Sequence, residues 1–279
     1  MLMGGFREGA LTMSSDSDVE KRIENALNAA LSTLAPYIGT AVNVEFKGKG
    51  DPVTEADRAA NLTLREVLVR DDEGWFSEET VDDFARLKKE RVWIVDPLDG
   101  TREFVADIPE WCISVAFVEN SKLVAGGICN PATREMFLGS VRSGVTYNGR
   151  PCRASARQDL AGATILASRS EIKRGEWEKF RGQPFEIRPT GSVAYKLALV
   201  AAGLADATWT LCPKHEWDIA AGAALVLAAG GIVQTIDNSQ LSFNNEHPLL
   251  SGLIACGPEL AKPISILLRE CAQAHAQKM

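Results

Sequence analysis

Asp96-Pro97-Leu98-Asp99-Gly100-Thr101 follows directly on the apolar run Val92-Trp93-Ile94-Val95. The run reads as a short buried strand, and Pro97 and Gly100 turn the chain at its end. Asp96 and Asp99 therefore leave a strand end close together, on a stiffened turn. Hard divalent cations such as Mg²⁺ take oxygen ligands of this kind, usually one or two carboxylates together with substrate phosphate. Gly100 and Thr101 add backbone N–H groups and a hydroxyl beside the same acids, so the stretch reads as a metal-dependent phosphate site. Asp, Pro and Gly also favour turns for separate reasons, and taken alone the hexapeptide reads equally well as a plain turn.

Three further acidic motifs bear on that choice. In Asp51-Pro52-Val53-Thr54-Glu55-Ala56-Asp57, Thr54 fits an N-cap and Asp57 the closing acid of a capping box. The helix they open carries Ala59, Leu62, Leu64 and Val67 as apolar positions. Trp75-Phe76-Ser77-Glu78-Glu79 places adjacent acids behind a strand-like aromatic pair, where solvation alone would also account for them. Trp217-Asp218-Ile219-Ala220-Ala221-Gly222 opens an apolar stretch that runs to Gly230-Gly231 and reads as a buried helix with a glycine stop. Asp218 complements the dipole in its first turn, yet an acid set between Trp217 and a wholly apolar helix needs a partner, and a metal would be one.

Taken in order, the four motifs resemble the inositol monophosphatase superfamily of Mg²⁺-dependent, Li⁺-sensitive phosphatases, from about Asp16 to the C-terminal helix. The resemblance implies a layered α-β-α-β-α sandwich and two or three Mg²⁺ ions per active site. It assigns Glu78, Asp96 and the Leu98 carbonyl to the first metal, Asp96, Asp99 and Asp218 to the second, and Asp57 to a weaker third through water. Two metals about 3.5–4 Å apart would clamp the attacking and leaving oxygens of an in-line displacement. Thr101, bonded to Asp57 or Glu78, would orient or deprotonate the attacking water, so that Thr101, Glu78 and Asp57 are the catalytic set. Gly100 and Thr101 N–H groups suit the phosphate oxygens, and no covalent phospho-enzyme is expected.

Substrate choice departs from the inositol branch. Its double-acid motif usually begins with Gly, where this chain has Ser77, and its Thr-Asn-Phe-Val is here Thr101-Arg102-Glu103-Phe104-Val105. The acid that contacts inositol hydroxyls falls on Thr210 or Leu211. Ser168-Arg169-Ser170 and Gly191-Ser192-Val193-Ala194-Tyr195-Lys196 look instead like the CysQ-like 3′(2′),5′-bisphosphate nucleotidases, although the usual Gly-Ser-Ser-x-Lys gains one residue here. In that branch the lysine matching Lys196 meets the second phosphate, and Arg169 joins it as a substrate contact. A solvated helix lysine is the plainer reading of Lys196. The leading substrate is thus 3′-phosphoadenosine 5′-phosphate (PAP). Inositol-1-phosphate is the alternative, with sugar phosphates such as fructose 1,6-bisphosphate behind it. A non-catalytic member that binds a phosphorylated ligand or a protein is a further class, disfavoured because no metal acid is missing.

The rest of the chain must hold these motifs in place. With 279 residues, 46% of them hydrophobic, it can bury a large core. A pI of 5.2 and the lack of like-charge blocks argue against nucleic-acid polymers. Six cysteines without paired spacing and three histidines support neither a disulfide framework nor a zinc site, and fit reduced thiols in the cytoplasm. No membrane span is read, residues 1–15 read as a loose tail, and a homodimer is expected. Residues 47–50 read either as a flexible cationic flap or as a surface turn.

Helices are expected over Asp16–Leu34, Thr54–Val69, Glu171–Phe180, Val193–Ala202, Trp217–Ala229 and from Pro258 to about Ala274. Cys112–Val118 and Leu123–Ile128 read as a hairpin, and Arg134–Leu138 with the turn Tyr147-Asn148-Gly149-Arg150 continues that sheet. Further strands are expected at Ile165–Ala167, Phe185–Ile187, Ala207–Leu211 and Ile232–Thr235. An α+β lobe over 16–158 would carry most metal ligands, and an α/β lobe over 159–279 would supply Asp218 and the specificity residues.

Overall fold

The Val92–Val95 run is buried on both of its faces, and this decides the layering. Val92 and Ile94 pack with one apolar cluster, Trp93 and Val95 with another, and all four are at most 1% exposed. A strand covered on both sides needs no polar alternation, which is why the sequence reads as a continuous apolar run.

The computed structural model of the chain describes residues 16–40, 44–47, 51–70, 72–236 and 241–276, so the expectations for 1–15 and for 48–50 lie outside the described residues. In chain order the elements begin with α1 (Asp16–Leu34), β1 (Val44–Lys47), β2 (Asp51–Thr54), α2 (Glu55–Leu68), β3 (Gly74–Ser77), β4 (Arg91–Asp99) and α3 (Thr101–Val105). They continue with β5 (Cys112–Glu119), β6 (Lys122–Asn130), β7 (Glu135–Ser140), β8 (Gly144–Tyr147), β9 (Arg150–Cys152), β10 (Thr164–Ser168) and α4 (Arg169–Lys173). The remainder is β11 (Glu186–Thr190), α5 (Val193–Ala201), β12 (Ala207–Trp209), β13 (Lys214–His215), α6 (Glu216–Ala228), β14 (Ile232–Thr235), β15 (Leu249–Leu250), β16 (Leu253–Cys256) and α7 (Ala261–Ala276).

A seven-stranded sheet runs β3 to β9 in sequence order, antiparallel except for the parallel pair β3–β4. A five-stranded sheet has the order β11-β10-β12-β16-β14. The first sheet is complete at Cys152 and the second begins at Thr164. α1 and α2 cover one face of the large sheet, burying Ile23, Leu27, Leu64 and Leu68 against Trp93, Val95 and Phe117. α5 and α6 lie between the two sheets, touching Ile94 and Phe137 on one side and Leu166 and Ala255 on the other. α7 closes the far face of the small sheet through Ile264, Leu267 and Leu268. The protein is therefore the layered α-β-α-β-α sandwich.

The middle layer explains the absence of amphipathicity there. All nine residues of α5 are buried, as is most of α6, and a helix apolar all round belongs between two covering surfaces. The two helices meet closely at Gly222, where an added Cβ would stand 2.3 Å from Leu197 Cβ.

Two element readings change. In α2 the buried positions are Ala56, Asp57, Ala60, Asn61, Leu64 and Leu68, whereas Leu62 is 63% and Val67 39% exposed. The inward face is rotated because two of its members, Asp57 and Asn61, are polar and point to the site, which breaks the apolar period. The helix expected over Glu171–Phe180 stops at Lys173, and a short 3₁₀ turn resumes at Glu178–Phe180. Gly175 lies between them at φ 79°, a left-handed conformation that ends a helix.

Candidate active site

β4 ends inside the protein, with Val95, Asp96 and Leu98 all buried. Asp96 Oδ1 accepts a hydrogen bond from Leu98 N at 3.0 Å, which folds the Asp-Pro-Leu turn back on itself. Gly100 follows Asp99 at φ 96°, a conformation that favours glycine, and a Cβ there would also crowd the Glu110 carbonyl oxygen at 3.1 Å. α3 starts at the next residue, which places Thr101 at its opening.

Asp218 arrives from the other direction, in the first turn of α6, where its Oδ2 accepts from His215 N at 3.1 Å. One carboxylate oxygen from each of Asp96, Asp99 and Asp218 lies within 4.8 Å of the others. Glu78 succeeds the end of β3, the strand parallel to β4, and its charge bears on Asp96. These acids line a cavity of about 320 Å³ together with Gly100, Thr101, Glu103, Lys196, Lys214 and His215.

The electrostatics arise from crowding. Burial pushes the Asp96 carboxyl well above its usual range, and Glu78, Asp99 and Asp218 push it further. Burial and then Asp99 raise Asp218 to about 7, with Lys214, the His215 N–H and Lys196 pulling the other way. A set of like charges held this close is costly without a counter-ion, and its hard oxygen donors suit a divalent cation such as Mg²⁺. Glu78, Asp96, Asp99 and Asp218 are the side chains that would hold it, with the Leu98 carbonyl beside them.

This crowding couples pH, metal and stability. An acid whose pKa is higher in the folded than in the unfolded chain favours folding at low pH. For Asp218 that contribution is complete below its ordinary value of 3.8 and is lost as the pH rises through about 7. Metal-free protein is therefore expected to melt at a lower temperature at pH 8 than at pH 5.5, and Mg²⁺ to raise the melting temperature more at pH 8. Melting curves in chelator and in Mg²⁺ at both pH values check this. An equal Mg²⁺ effect at both would contradict it.

Asp57 serves α2 and the site at once. Its Oδ2 accepts from Thr54 N at 2.8 Å and Thr54 Oγ at 2.6 Å, and the Thr54 side chain accepts in return from the Asp57 backbone, which makes the capping box, as well as from Ala56 N. Its Oδ1 accepts from Thr101 Oγ at 3.2 Å, and the same hydroxyl lies 3.2 Å from the Leu98 carbonyl oxygen. Burial raises the Asp57 carboxyl, the Thr54 bonds lower it, and Glu79 adds to the rise. The cap and the chemical reading thus use different oxygens of one carboxylate.

Lys196 is 1% exposed and lines the cavity, so it is not a solvated helix lysine. Burial lowers its pKa to about 8, with Asp99 pulling it back up and Lys214 pushing it down. Arg169 sits differently. Its guanidinium makes a two-point pair with Glu110, Nε to Oε2 at 2.5 Å and Nη2 to Oε1 at 2.7 Å, and the cavity is lined by its neighbours Ser168 and Ser170. Thr210 is buried with its hydroxyl accepting from Leu253 N at 3.1 Å, and Leu211 packs against the apolar cluster beneath the small sheet.

Several contacts of the site are not legible in the motifs, even where the residues that make them belong to one. Ser192 Oγ and Ala194 N both donate to Asp99 Oδ2 at 2.6 Å. Asn61 Oδ1 accepts from Ser77 Oγ at 2.7 Å and its amide donates to Thr80 Oγ at 3.2 Å, which steadies the turn bearing Glu78. Glu103 lines the cavity with its carboxyl raised, chiefly by burial. Glu171, Glu176 and Cys212 form a second close group, but their polar atoms are engaged with Trp177, Leu211 N, Arg174 and one another. The six cysteines are free thiols, three of them buried, and no helix among the described residues is long and apolar enough to cross a membrane.

The chain is similar to known proteins over most of its length. A model of the inositol monophosphatase family matches residues 16–273. Inositol-1-monophosphatase of Rhizobium meliloti (strain 1021) is 35% identical over 259 residues, covering 89% of this chain and 93% of its own. Among solved structures, the Thermotoga maritima IMPase superposes with a TM-score of 0.80 at 29% identity, covering 92% of this chain and 99% of its own. CysQ of Bacteroides thetaiotaomicron superposes with a TM-score of 0.72 at 27% identity, covering 88% and 98%.

Proposed function

The chain belongs to the inositol monophosphatase family and is a phosphatase, and from that premise we propose that it uses Mg²⁺ to hydrolyse a small phosphate monoester bearing a second phosphate. PAP is the leading form, giving AMP and phosphate.

The observation that carries this reading is the position of Lys196. A buried ammonium beside the acid cluster has a use when the substrate brings a second anion, and a charged hydrogen bond to that anion contributes about 1.5–3 kcal/mol. The positions where the inositol branch holds its hydroxyl-binding acid are occupied by Thr210 and Leu211, both turned into packing. Inositol-1-phosphate is the second reading, favoured by the name of the Rhizobium meliloti relative.

The chain's own groups divide the work. Bound Mg²⁺ would act as a Lewis acid on the phosphoryl oxygens. Thr101 donates its hydroxyl hydrogen towards Asp57 Oδ1 or the Leu98 carbonyl, which leaves its Oγ lone pairs to accept a proton from the attacking water. Asp57, buried and with a raised pKa, is suited to receive that proton through Thr101. The water oxygen then bonds to phosphorus while the ester P–O bond breaks, and the departing oxygen takes up a proton from solvent water, balancing the one that Asp57 received and later returns to solvent. Gly100 and Thr101 line the cavity where α3 opens, and their N–H groups would suit the developing charge, so that no serine or cysteine nucleophile is required.

Phosphate release from PAP and from inositol-1-phosphate, measured side by side with and without Mg²⁺, tests the reading. Lys196→Ala is expected to raise KM for PAP by roughly 10- to 150-fold, the equivalent of that charged hydrogen bond, and to change KM for inositol-1-phosphate far less. Equal losses on both substrates would remove Lys196 as the reader of a second phosphate.

A further inference from the structure

We propose that Glu110 is a positioning residue for the metal acid Asp99, acting through the Gly191–Ser192 turn that enters α5. The inference rests on the reading of Asp99 as a metal ligand and adds a residue that this reading does not contain.

Glu110 lies between α3 and β5, on the side of the large sheet, and its partners lie just beyond strands of the small one. Its Oε2 accepts from Gly191 N at 2.7 Å and from Arg169 Nε at 2.5 Å, and its Oε1 accepts from Arg169 Nη2 at 2.7 Å. A carboxylate with two guanidinium contacts is fixed in direction as well as place. Glu110 is thereby aimed at one backbone N–H, that of the residue before Ser192.

The backbone of Ser192 needs such an anchor. It has φ 53° and ψ 131°, a conformation that an L residue adopts only when its surroundings over-determine it. In that conformation Ser192 Oγ accepts from Tyr195 N at 2.9 Å and donates to Asp99 Oδ2 at 2.6 Å. Ala194 N reaches the same Oδ2 at 2.6 Å. Both donors thus fall on one oxygen of Asp99, leaving Oδ1 for a cation. Gly191 itself has no latitude, since a Cβ there would stand 2.4 Å from Glu103 Cγ and 2.8 Å from the Glu110 carbonyl oxygen.

Glu110 therefore holds the turn at its start while Asp99 holds it at its end. Without the Gly191 contact, Ser192 can relax towards an ordinary conformation, and the two donors move off Asp99. Arg169 contributes by orienting Glu110.

The test is Mg²⁺ titration calorimetry on the purified full-length protein, with kcat/KM measured on whichever phosphate monoester the wild type hydrolyses. Glu110→Ala is expected to weaken Mg²⁺ binding by roughly 10- to 100-fold, the usual cost of losing an outer partner of a metal ligand. Arg169→Ala keeps the Glu110–Gly191 bond and is expected to lose about a tenth as much. Glu110→Asp keeps charge and fold but draws the oxygen back by one methylene, so it decides the matter if the alanine variant does not fold; about a tenfold loss is expected. Unchanged Mg²⁺ affinity in the folded Glu110 variants would overturn the proposal while leaving the phosphatase reading intact. Equal losses in Glu110→Ala and Arg169→Ala would overturn it too, since the ion pair alone would then matter. A wild type that binds no Mg²⁺ would remove the metal reading and this inference together.

Discussion

Asp99→Asn is expected to lower kcat/KM for phosphate release by at least about 10³-fold, equivalent to roughly 4 kcal/mol of transition-state stabilisation, in a protein that stays folded. Loss of an outer-shell partner typically costs about 10- to 100-fold, and a direct ligand carries more. Folding should survive because the change is isosteric and the bonds that Asp99 makes to protein fall on one oxygen. Ser192 Oγ and Ala194 N both donate to Oδ2, and an asparagine carbonyl oxygen can accept from both. The side-chain amide nitrogen then takes the place of Oδ1, the carboxylate oxygen that neither donor occupies, and it offers a cation no lone pair. Removing one negative charge also relieves Asp96 and Asp218, whose raised pKa values both owe something to Asp99. The metal-free variant should therefore melt no lower than the metal-free wild type at pH 8. Paired melting curves and phosphate-release rates settle the matter, and turnover at the wild-type rate would sink the assignment of Asp99 to the metal.

The parts of this site that are legible in the sequence are those in which one short segment holds both the element and the chemistry. Asp96 and Asp99 can be read because the apolar run before them and the Pro–Gly turn around them fix a strand end. Thr54 and Asp57 can be read because a capping box is a local pattern, and it is present. Asp218 can be read because an acid in front of a wholly apolar helix is conspicuous. Glu110 and Ser192 cannot, since their roles exist only once β5 and α5 are brought together across the molecule. Arg169 shows the limit from the other side: a cation in a suggestive tripeptide has its direction set by a carboxylate far away in sequence, and Glu110 claims it. The rotated face of α2 has the same origin, because the burial of Asp57 and Asn61 is a property of the site rather than of the helix.

Arg86→Ala is expected to cost about 3–5 kcal/mol, the usual effect of breaking a buried charged network by removing one partner. The Arg86 side chain is fully enclosed. Its Nε and Nη2 donate to Asp82 Oδ2 at 3.0 and 2.8 Å, its Nη1 donates to Asn244 Oδ1 at 2.7 Å, and its guanidinium lies 3.8 Å from the Phe76 ring centre. Asn244 and Asn245 in turn donate to the buried Glu216 from their backbone N–H groups at 2.6 and 3.0 Å, and the Asn245 amide adds a bond at 2.6 Å. Glu216 opens α6 two residues ahead of Asp218, and Asp82 belongs to the loop that leads on from Glu78. The network therefore ties the segment carrying one metal acid to the helix carrying another. Truncation strands Asn244 Oδ1 and one oxygen of Asp82 without their donors and leaves a void against Phe76. Arg86→Lys should recover little of the loss, because an ammonium cannot reproduce a planar fork that meets several acceptors and stacks on a ring. Denaturant midpoints measure the stability change, and Mg²⁺ affinity at a temperature where the variant is folded measures the coupling. A loss below about 1 kcal/mol would mean that solvent or neighbouring groups satisfy these partners once the arginine is gone.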